Sequence, residues 1–535
     1  MLPLLTSEQM RQLDAHAIDT VGIPGIVLME NAARAVLETI EDRYGDVDAL
    51  NVAVVCGPGN NGGDGFAIAR QLLLRGADVD VFFLGEEKQI TGDALTNFLL
   101  LDPLGLSVVH WHGQDEGVSL SDYDLIVDAI FGTGNTRAPS GVYQQAIEAI
   151  NESAAHVVSV DVPSGVDATS GSVPGIAVEA DVTVTFQQVK CGLMLPPGRN
   201  FAGDLIASPI SIPDIEEVLA SAPFALPEDA DILENLPARP REAHKGIFGN
   251  LLIIAGSRGM SGAARLMSLA ALRCGVGLVK VATPESIRAE VATFRPEVMT
   301  IGLPETASGA IAASALETLQ PYLEWANCIA IGPGMGTDAE TAQFLAGLFA
   351  AASLPMVIDA DALNIISANN LLDKLPKDVI LTPHPGEFDR LTGRKHTDLQ
   401  ERIVAAAAFA EGHGLNLVLK GAPTVCFDAD GFGVINPTGN PGLATAGSGD
   451  VLAGIIGALR TQGLESYTAA WVGCYLHGRA ADLVVESAGT AMLVAGDVIT
   501  YLPPAFGSVQ PKEAVEEGES SSHHGCDGHC NKHHS

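Results

Sequence analysis

Two hydrophobic rhythms alternate along the chain. Thr6-Ser-Glu-Gln9 has the form of a capping box, and Met10, Leu13 and Ala17 follow at helical spacing, so a helix is predicted there. A second helix is predicted over residues 28–40. Apolar runs at 52–55 and 79–84 read as buried strands, with a helix over 66–74 between them. Leu125-Ile-Val-Asp128 and Val157-Val-Ser-Val-Asp161 are further strand-like runs, and each leads into a loop of small residues. The charge-free stretch 341–358 resembles a membrane span, but Gln343, Ser353 and Pro355 interrupt it, and it reads as a buried helix followed by a strand. Near 221–243 the pattern lapses: Pro223, Pro227, Pro237 and Pro240 stand among acids, which reads as a linker that breaks regular elements. Strand–loop–helix units repeat on either side, the pattern of open α/β sheets with helices on both faces.

Length and composition sharpen this picture. A chain of 535 residues is too long for one hydrophobic core. The reading is therefore a domain at 1–221, a linker at 222–243, a second domain at 244–505, and a tail at 506–535. With 47% hydrophobic, 18% charged and only 5% aromatic residues, the composition suits alternating strands and helices better than a β-sandwich. A net charge of −36 argues against nucleic acid and anionic membrane as partners. If the substrates are nucleotides, local lysines, helix N-termini and cations must attract them. The first residues lack a basic segment and a long apolar run, so a cytoplasmic protein is expected, and a homo-oligomer with it. Cys56, Cys191, Cys274, Cys328, Cys426 and Cys474 are scattered without metal spacing and read as reduced core residues. The tail is expected to be disordered over 509–522. It ends with Cys526, Cys530 and five histidines after residue 522, ligands suited to zinc, nickel or copper in no zinc-finger spacing.

Candidate chemistry sits in the loops. Gly57-Pro-Gly-Asn-Asn-Gly-Gly-Asp-Gly65 satisfies GxGxxG after a strand, and Glu86 stands where the dinucleotide fingerprint places its ribose acid, so the literal match is a Rossmann site. However, Asn60, Asn61 and Asp64 crowd a loop that should bare its backbone to pyrophosphate. In an open α/β sheet the carboxyl ends of strands line the ligand crevice, so Asp128 and Asp161 should face the same cleft as Asn61. Asn61, Asp128 and Ser164 offer hard oxygen ligands for a cation. Asp161 is left as the acid or base, with Lys190 as partner. Serving as helix N-caps is the alternative for these aspartates. In the second half, residues 440–454 place a small-residue turn and Asp450 before an apolar helical run. Free amides at 446–449 can bind an anion, and a carboxylate among them suits proton transfer with a group that reacts with phosphate. An ordinary glycine turn, with Asp450 complementing the helix dipole, is the alternative.

The residues at 28–32 (Leu-Met-Glu-Asn-Ala), the 57–65 loop, Asp128-Ala-Ile-Phe-Gly-Thr-Gly134 and Val160-Asp-Val-Pro-Ser-Gly165 resemble the NAD(P)H-hydrate epimerase family over about the first 215 residues. His244-Lys-Gly-Ile-Phe-Gly249, Gly256-Ser-Arg-Gly-Met-Ser-Gly-Ala263, Ile331-Gly-Pro-Gly-Met-Gly336, Asp359-Ala-Asp-Ala-Leu-Asn364, Thr382-Pro-His-Pro-Gly-Glu387, Lys420-Gly-Ala-Pro-Thr424 and the Asp450 segment are similar to the ADP-dependent NAD(P)H-hydrate dehydratases, from about 244 to 503. The order matches the bifunctional nicotinamide-nucleotide repair enzymes. This resemblance implies an N-terminal Rossmann-like sheet, a C-terminal ribokinase-like α/β domain, and repair of reduced nicotinamide that has taken up water across a ring double bond. An epimerase would equilibrate the R and S hydrates, NADHX and NADPHX, and a dehydratase would consume the S form with ADP. The family's hydrate site in the first half falls on Asn60, Asn61, Gly62, Gly63, Asp64, Gly132, Thr133, Gly134, Asn135, Thr136, Arg137, Ala138 and Asp161. Its potassium site falls on Asn61, Asp128 and Ser164. In the second half ADP falls on Lys420, Gly421, Ala422, Pro423, Thr424 and the 440–449 loop with Gly447, Ser448 and Gly449, while the hydrate falls on Ala263, Gly334, His384 and Asp450. Mg²⁺ is implied beside ADP. His384 has a second reading as a loop histidine satisfied by its own turn, because Pro383 and Pro385 already fix it. No GxxxxGK[ST] loop is present, so phosphate binding must lie elsewhere in this half. Other readings are a vitamin-precursor kinase, since the same fold and the same Gly-Asp site phosphorylate alcohols, and a noncatalytic nucleotide sensor.

Overall fold

The computed structural model describes residues 1–113, 119–489 and 492–510. The first half is built on a seven-stranded parallel sheet. Its order is Val108–His110, Asp78–Phe83, Asn51–Cys56, Leu125–Ala129, His156–Val160, Val182–Phe186, Asp204–Ser208. The order reverses between Asn51–Cys56 and Leu125–Ala129, which opens a crevice beyond their carboxyl ends. Burial on both faces explains the unbroken apolar runs. Val52, Val54 and Cys56 pack with residues of the helices Ser7–Ala15, Gly25–Tyr44 and Asn60–Leu74. Ala53 and Val55 turn towards the helix Val142–Glu152.

The second half repeats this order. Met299–Leu303, Leu278–Pro284, Asn250–Ile254, Cys328–Ile331, Met356–Ile358, Val379–Leu381 and Asn416–Leu419 run parallel, with the reversal between Asn250–Ile254 and Cys328–Ile331. Val425–Phe427 and Gly433–Ile435 then add antiparallel strands at one edge. Alternate residues again feed two cores: Leu251 and Ile253 meet the helices Ser261–Arg273 and Ser448–Thr461, and Leu252 and Ile254 face the opposite layer.

Several elements differ from the sequence reading. Residues 222–243 carry the strand Phe224–Leu226 and the helix Asp229–Asn235. Pro223 and Pro227 do not break the strand because they stand just outside it, where a missing N–H costs no ladder bond. This strand joins Gly433–Ile435 and pairs on its other side with Leu2–Leu4, so the N-terminal segment completes the C-terminal half's sheet of eleven strands. The helix expected at 66 begins at Asn60, because Gly59 takes the capping position and the polar residues form the first turns. Glu86 is exposed and paired with Lys88, away from the crevice. The predicted capping box is present, with Thr6 Oγ1 accepting from Gln9 N at 3.2 Å. The stretch 341–358 is the helix Ala339–Ala351 followed by the strand Met356–Ile358. All six of those cysteines are buried and free. The last helix, Ala495–Ser508, runs past the boundary expected at 505. Cys526, Cys530 and the histidine-rich tail lie outside the described residues. Among the described residues no helix is long and apolar enough to cross a membrane.

Candidate active sites

At the N-terminal crevice, a cavity of about 680 Å³ is lined by Asn60, Asn61, Asp64, Gly132, Thr133, Gly134, Asn135, Asp161 and Lys190. Glycine lets its two main loops touch: a β-carbon on Gly62 would lie 1.8 Å from the Gly57 carbonyl oxygen, and one on Gly57 2.1 Å from that of Ile130. These glycines serve close packing of backbone on backbone. Gly62 and Gly63 lie buried behind the lining, and Thr136, Arg137 and Ala138 are exposed outside it.

Asp161 follows its strand with φ 65°, a left-handed conformation that costs a non-glycine residue energy and occurs where a site demands it. Its Oδ1 accepts from Lys190 Nζ at 2.6 Å and from Phe186 N at 3.1 Å. Lys190 is 1% exposed and also donates to Thr185 Oγ1 at 3.0 Å and Phe186 O at 2.7 Å, so all three of its N–H bonds are committed. Beneath the cavity floor, fully buried Asp128 accepts from Ser164 N at 2.9 Å, Ser164 Oγ at 2.6 Å, Ser159 Oγ at 2.8 Å and, more weakly, Ile130 N at 3.3 Å. Burial pushes its carboxyl up, against the pull of the Ser164 and Ser159 hydrogen bonds. Phe131 N donates to Ser164 Oγ, Asn61 abuts Gly132, and the buried Asn61 Nδ2 has no partner. The crevice thus gathers Asn61, Asp128 and Ser164 around the loop at 131–132.

The second site forms where five strand ends meet. Lys420 Nζ donates to Asp359 Oδ1 at 2.7 Å and lies 3.8 Å from Glu387 Oε2. Burial would lower the Lys420 pKa, but Asp359 and Glu387 outweigh it and hold it raised. Asp450 sits in the first turn of the helix Ser448–Thr461, whose leading residue follows Gly447 at φ 85°. Ser448 N donates to Thr445 O at 3.4 Å, while among the described residues the amides of Gly447, Gly449 and Asp450 have no acceptor and can meet an anion. A β-carbon on Gly449 would lie 3.4 Å from Lys420 Nζ, which fixes how closely the turn and the lysine approach. The Asp450 carboxyl is pushed up to about 6, by burial first and then by repulsion from Asp359 and Asp361, with Lys420 opposing. Gly334 and Ala263 are neighbours: a β-carbon on the former would lie 3.2 Å from that of the latter. His384 caps its helix, with Nδ1 accepting from Gly386 N at 3.0 Å, yet its ring is half exposed. Both readings of this histidine are therefore compatible with its surroundings.

Sequence reasoning assigned no role to Asp359, Glu387, His477 or Asp482. Asp482 Oδ2 and Oδ1 accept from Gly439 N and Asn440 Nδ2, each at 2.9 Å, and clamp the start of the glycine loop. His477 Nε2 lies 3.3 Å from Ser448 Oγ, and burial pushes its ring down to about 4, so it is neutral. Both sit on the helix Ser466–Ala488, more than 25 residues beyond the loop they hold, so no local pattern could reveal them.

Comparison with known proteins follows this division. A family model described as NAD(P)H-hydrate dehydratase matches residues 251–504, and one described as YjeF-related protein N-terminus matches 25–192. The bifunctional NAD(P)H-hydrate repair enzyme Nnr of Moorella thermoacetica is 42% identical over 511 residues, covering 94% of this chain and 96% of that protein. The chain belongs to the bifunctional NAD(P)H-hydrate repair enzyme family. The Thermofilum pendens member is 38% identical, covering 93% of this chain and 95% of its own length. An ADP/ATP-dependent NAD(P)H-hydrate dehydratase from Bacillus subtilis, co-crystallised with ATP and Mg²⁺, is 32% identical, with a TM-score of 0.45 over 53% of this chain and 98% of its own. In this family the first site belongs to the epimerase half, of Rossmann-like order, and the second to the ribokinase-like dehydratase half.

Proposed function

We propose that the chain repairs hydrated NADH and NADPH in two steps. Its N-terminal cavity interconverts the R and S hydrates, and its C-terminal site dehydrates the S form at the expense of ADP, giving AMP and phosphate. The observation that carries this reading is that two separate crevices each hold a carboxylate placed for proton transfer. In the first, Lys190 and the Phe186 amide fix Asp161 beside the loops at 60–64 and 132–138, which would bind the hydrate.

In the second, Asp450 is poised near neutrality beside a cation and free amides. Hydroxide is a poor leaving group. Asp450 would take the proton of the ring hydroxyl as that oxygen attacks the β-phosphorus of ADP, and Lys420 with the amides of Gly447 and Gly449 would stabilise the charge that develops. Phosphate then leaves as the ring nitrogen's electron pair forms C=N⁺, and loss of a proton from the neighbouring ring carbon to solvent restores the C=C double bond. Ala263, Gly334 and His384 would line the hydrate, and Lys420, Gly421, Ala422, Pro423 and Thr424 the nucleotide. Mg²⁺ takes one or two carboxylates and fills its shell with phosphate and water. Asp359 Oδ2, the oxygen that Lys420 leaves free, fits that demand and faces Gly449. When bound, the ion neutralises phosphate charge. Potassium takes oxygen ligands, so the side-chain oxygens of Asn61, Asp128 and Ser164 are the donor set that would hold it, and it would brace the two loops of the cavity. A cytoplasmic homo-oligomer working on the soluble cofactor pool completes the proposal.

The test supplies mixed NADHX epimers with ADP, Mg²⁺ and K⁺ and follows recovery of reduced-nicotinamide absorbance beside phosphate release. Full recovery is expected from the wild type, the S fraction alone from Asp161→Asn, and no recovery from Asp450→Asn, which still epimerises. Normal dehydration by Asp450→Asn would sink the assignment of that residue. A phosphorylated product that persists would indicate a kinase.

A further inference from the structure

The N-terminal cavity holds more carboxyl groups than Asp161. Asp128 is sealed beneath the floor, and every N–H of Lys190 is committed, so neither can exchange a proton with a ligand without breaking its own bonds. Asp14 and Asp64 also line the space, and both are repelled by Asp161. Asp14 comes from the helix Ser7–Ala15, which precedes the residues matched by the N-terminal family model. Among the described residues none donates a hydrogen bond to its carboxyl. The cation on its own helix, Arg11, is held by Glu8 at 2.6 Å. Asp14 therefore presents a half-buried carboxyl to the space with its proton free to move.

The chemistry of an epimerase that acts on the hydrate needs such a group. The hydroxylated carbon is bonded to the ring nitrogen, so the shortest route to inversion is loss of the hydroxyl and its return on the other face. Departure needs an acid and return needs a base. The two events fall on opposite faces of the ring, and one fixed carboxyl reaches only one of them.

Building on the reading of this cavity as the epimerase site, we propose that Asp14 is its second proton-transfer group, exchanging the ring hydroxyl together with Asp161. Protonated Asp14 gives its proton to the hydroxyl as the C–O bond breaks and the nitrogen's electron pair forms C=N⁺. The water released, or another, adds to the opposite face, and Asp161 takes its proton. Substrate and product differ only in configuration, and a proton returned through solvent resets the pair. In the opposite direction the two residues exchange roles. Burial and the Asp161 charge push the Asp14 carboxyl up to about 6, with Lys190 opposing, which suits a group that must both give and take a proton. Asp64 is pushed well above the usual range, by burial first and then by repulsion from Asp161 and Asp14. Arg11 and Asp93 are the other charged groups lining the space.

The test uses the full chain, so dehydration of purified S hydrate checks the integrity of each variant. Asp14→Asn is expected to slow consumption of R hydrate by about a hundredfold or more while S hydrate is dehydrated at the wild-type rate. Asp14→Glu should recover part of the loss. The wild-type kcat/KM for R hydrate should change near pH 6, and that limb should vanish in Asp14→Asn. Asp14→Asn acting within about threefold of wild type would overturn the proposal. So would a loss that leaves the pH profile unchanged and that Asp14→Glu does not mend. If Asp161→Asn stops conversion of R hydrate and Asp14→Asn does not, the epimerase reading stands and this proposal alone falls. A wild-type protein that leaves R hydrate untouched removes both.

Discussion

Both halves place a lysine–aspartate pair at the mouth of a sheet with the same strand order, yet the pairs are built for different work. Lys190 and Asp161 meet at 2.6 Å, Lys420 and Asp359 at 2.7 Å. Both aspartates lie at sharp exits from a strand, with positive φ at Asp161 itself and at Ala360 beside Asp359. The difference lies in the remaining valences of the lysines. Lys190 spends its three N–H bonds on Asp161, Thr185 and Phe186, and so it orients a carboxylate. Lys420 makes one short hydrogen bond, to Asp359, is 19% exposed, and has N–H bonds left for a phosphate. A buried lysine's role is read from its uncommitted donors, more than from its distance to an acid.

The most severe way to break this comparison is to remove each cation. Lys420→Met should lower dehydration by about a thousandfold, since charge stabilisation at the transferring phosphoryl group is lost, with R hydrate still epimerised. Lys190→Met should stop epimerisation while S hydrate is still dehydrated, and since each variant strips a largely buried aspartate of its partner, Asp161 at 13% and Asp359 at 2% exposure, both folds should lose about 3–5 kcal/mol. The two half-reaction assays separate these outcomes; loss of the same half-reaction in both variants would erase the distinction.

A subtler probe is pH. Asp450 is raised to about 6 in the fold, so its base form is lost as pH falls through that value, and the kcat/KM of dehydration should fall below pH 6. The sign for stability is opposite: the ionised carboxyl burdens the fold above pH 6, and the burden lifts as pH falls. Asp450→Asn should thus melt higher than wild type at pH 7.5 and show less of that gain at pH 5. A lower melting temperature at pH 7.5 would show the charge to be compensated.

The smallest expected effect concerns the clamp on the glycine loop. Asp482→Ala leaves the Gly439 amide and the Asn440 side chain without acceptors, a loss of about 1–2 kcal/mol. It should appear as a roughly tenfold rise in KM for ADP with kcat nearly kept. Titrating ADP at saturating S hydrate checks it, and an unchanged KM would show that the loop holds itself.

The sequence was most legible where chemistry is local. Asp128 and Asp161 at strand ends, and Asp450 at the head of an apolar helical run, could be placed because period and loop composition are properties of neighbours along the chain. Glu86 misled because the GxGxxG match was taken with its usual companion acid, whereas here those glycines pack loop on loop. Asp14 was passed over because nothing within its helix marks it. Its place in the cavity depends on a segment some 150 residues away that carries Asp161 and Lys190.

By itself, then, the sequence determined two α/β halves, the elements that carry the glycine loops, and the identity of most strand-end carboxylates, since each follows from hydrophobic period and short-range turn chemistry. Only the tertiary structure decided that Leu2–Leu4 would complete the sheet of the C-terminal half through Phe224–Leu226 and leave the next helix, with Asp14, against the N-terminal cavity. It alone decided which lysine would be saturated and which left with donors to spare. The reason is physical: strand pairing across more than 200 residues, and the count of hydrogen bonds around a buried charge, depend on which surfaces meet, and no local window of sequence contains both surfaces.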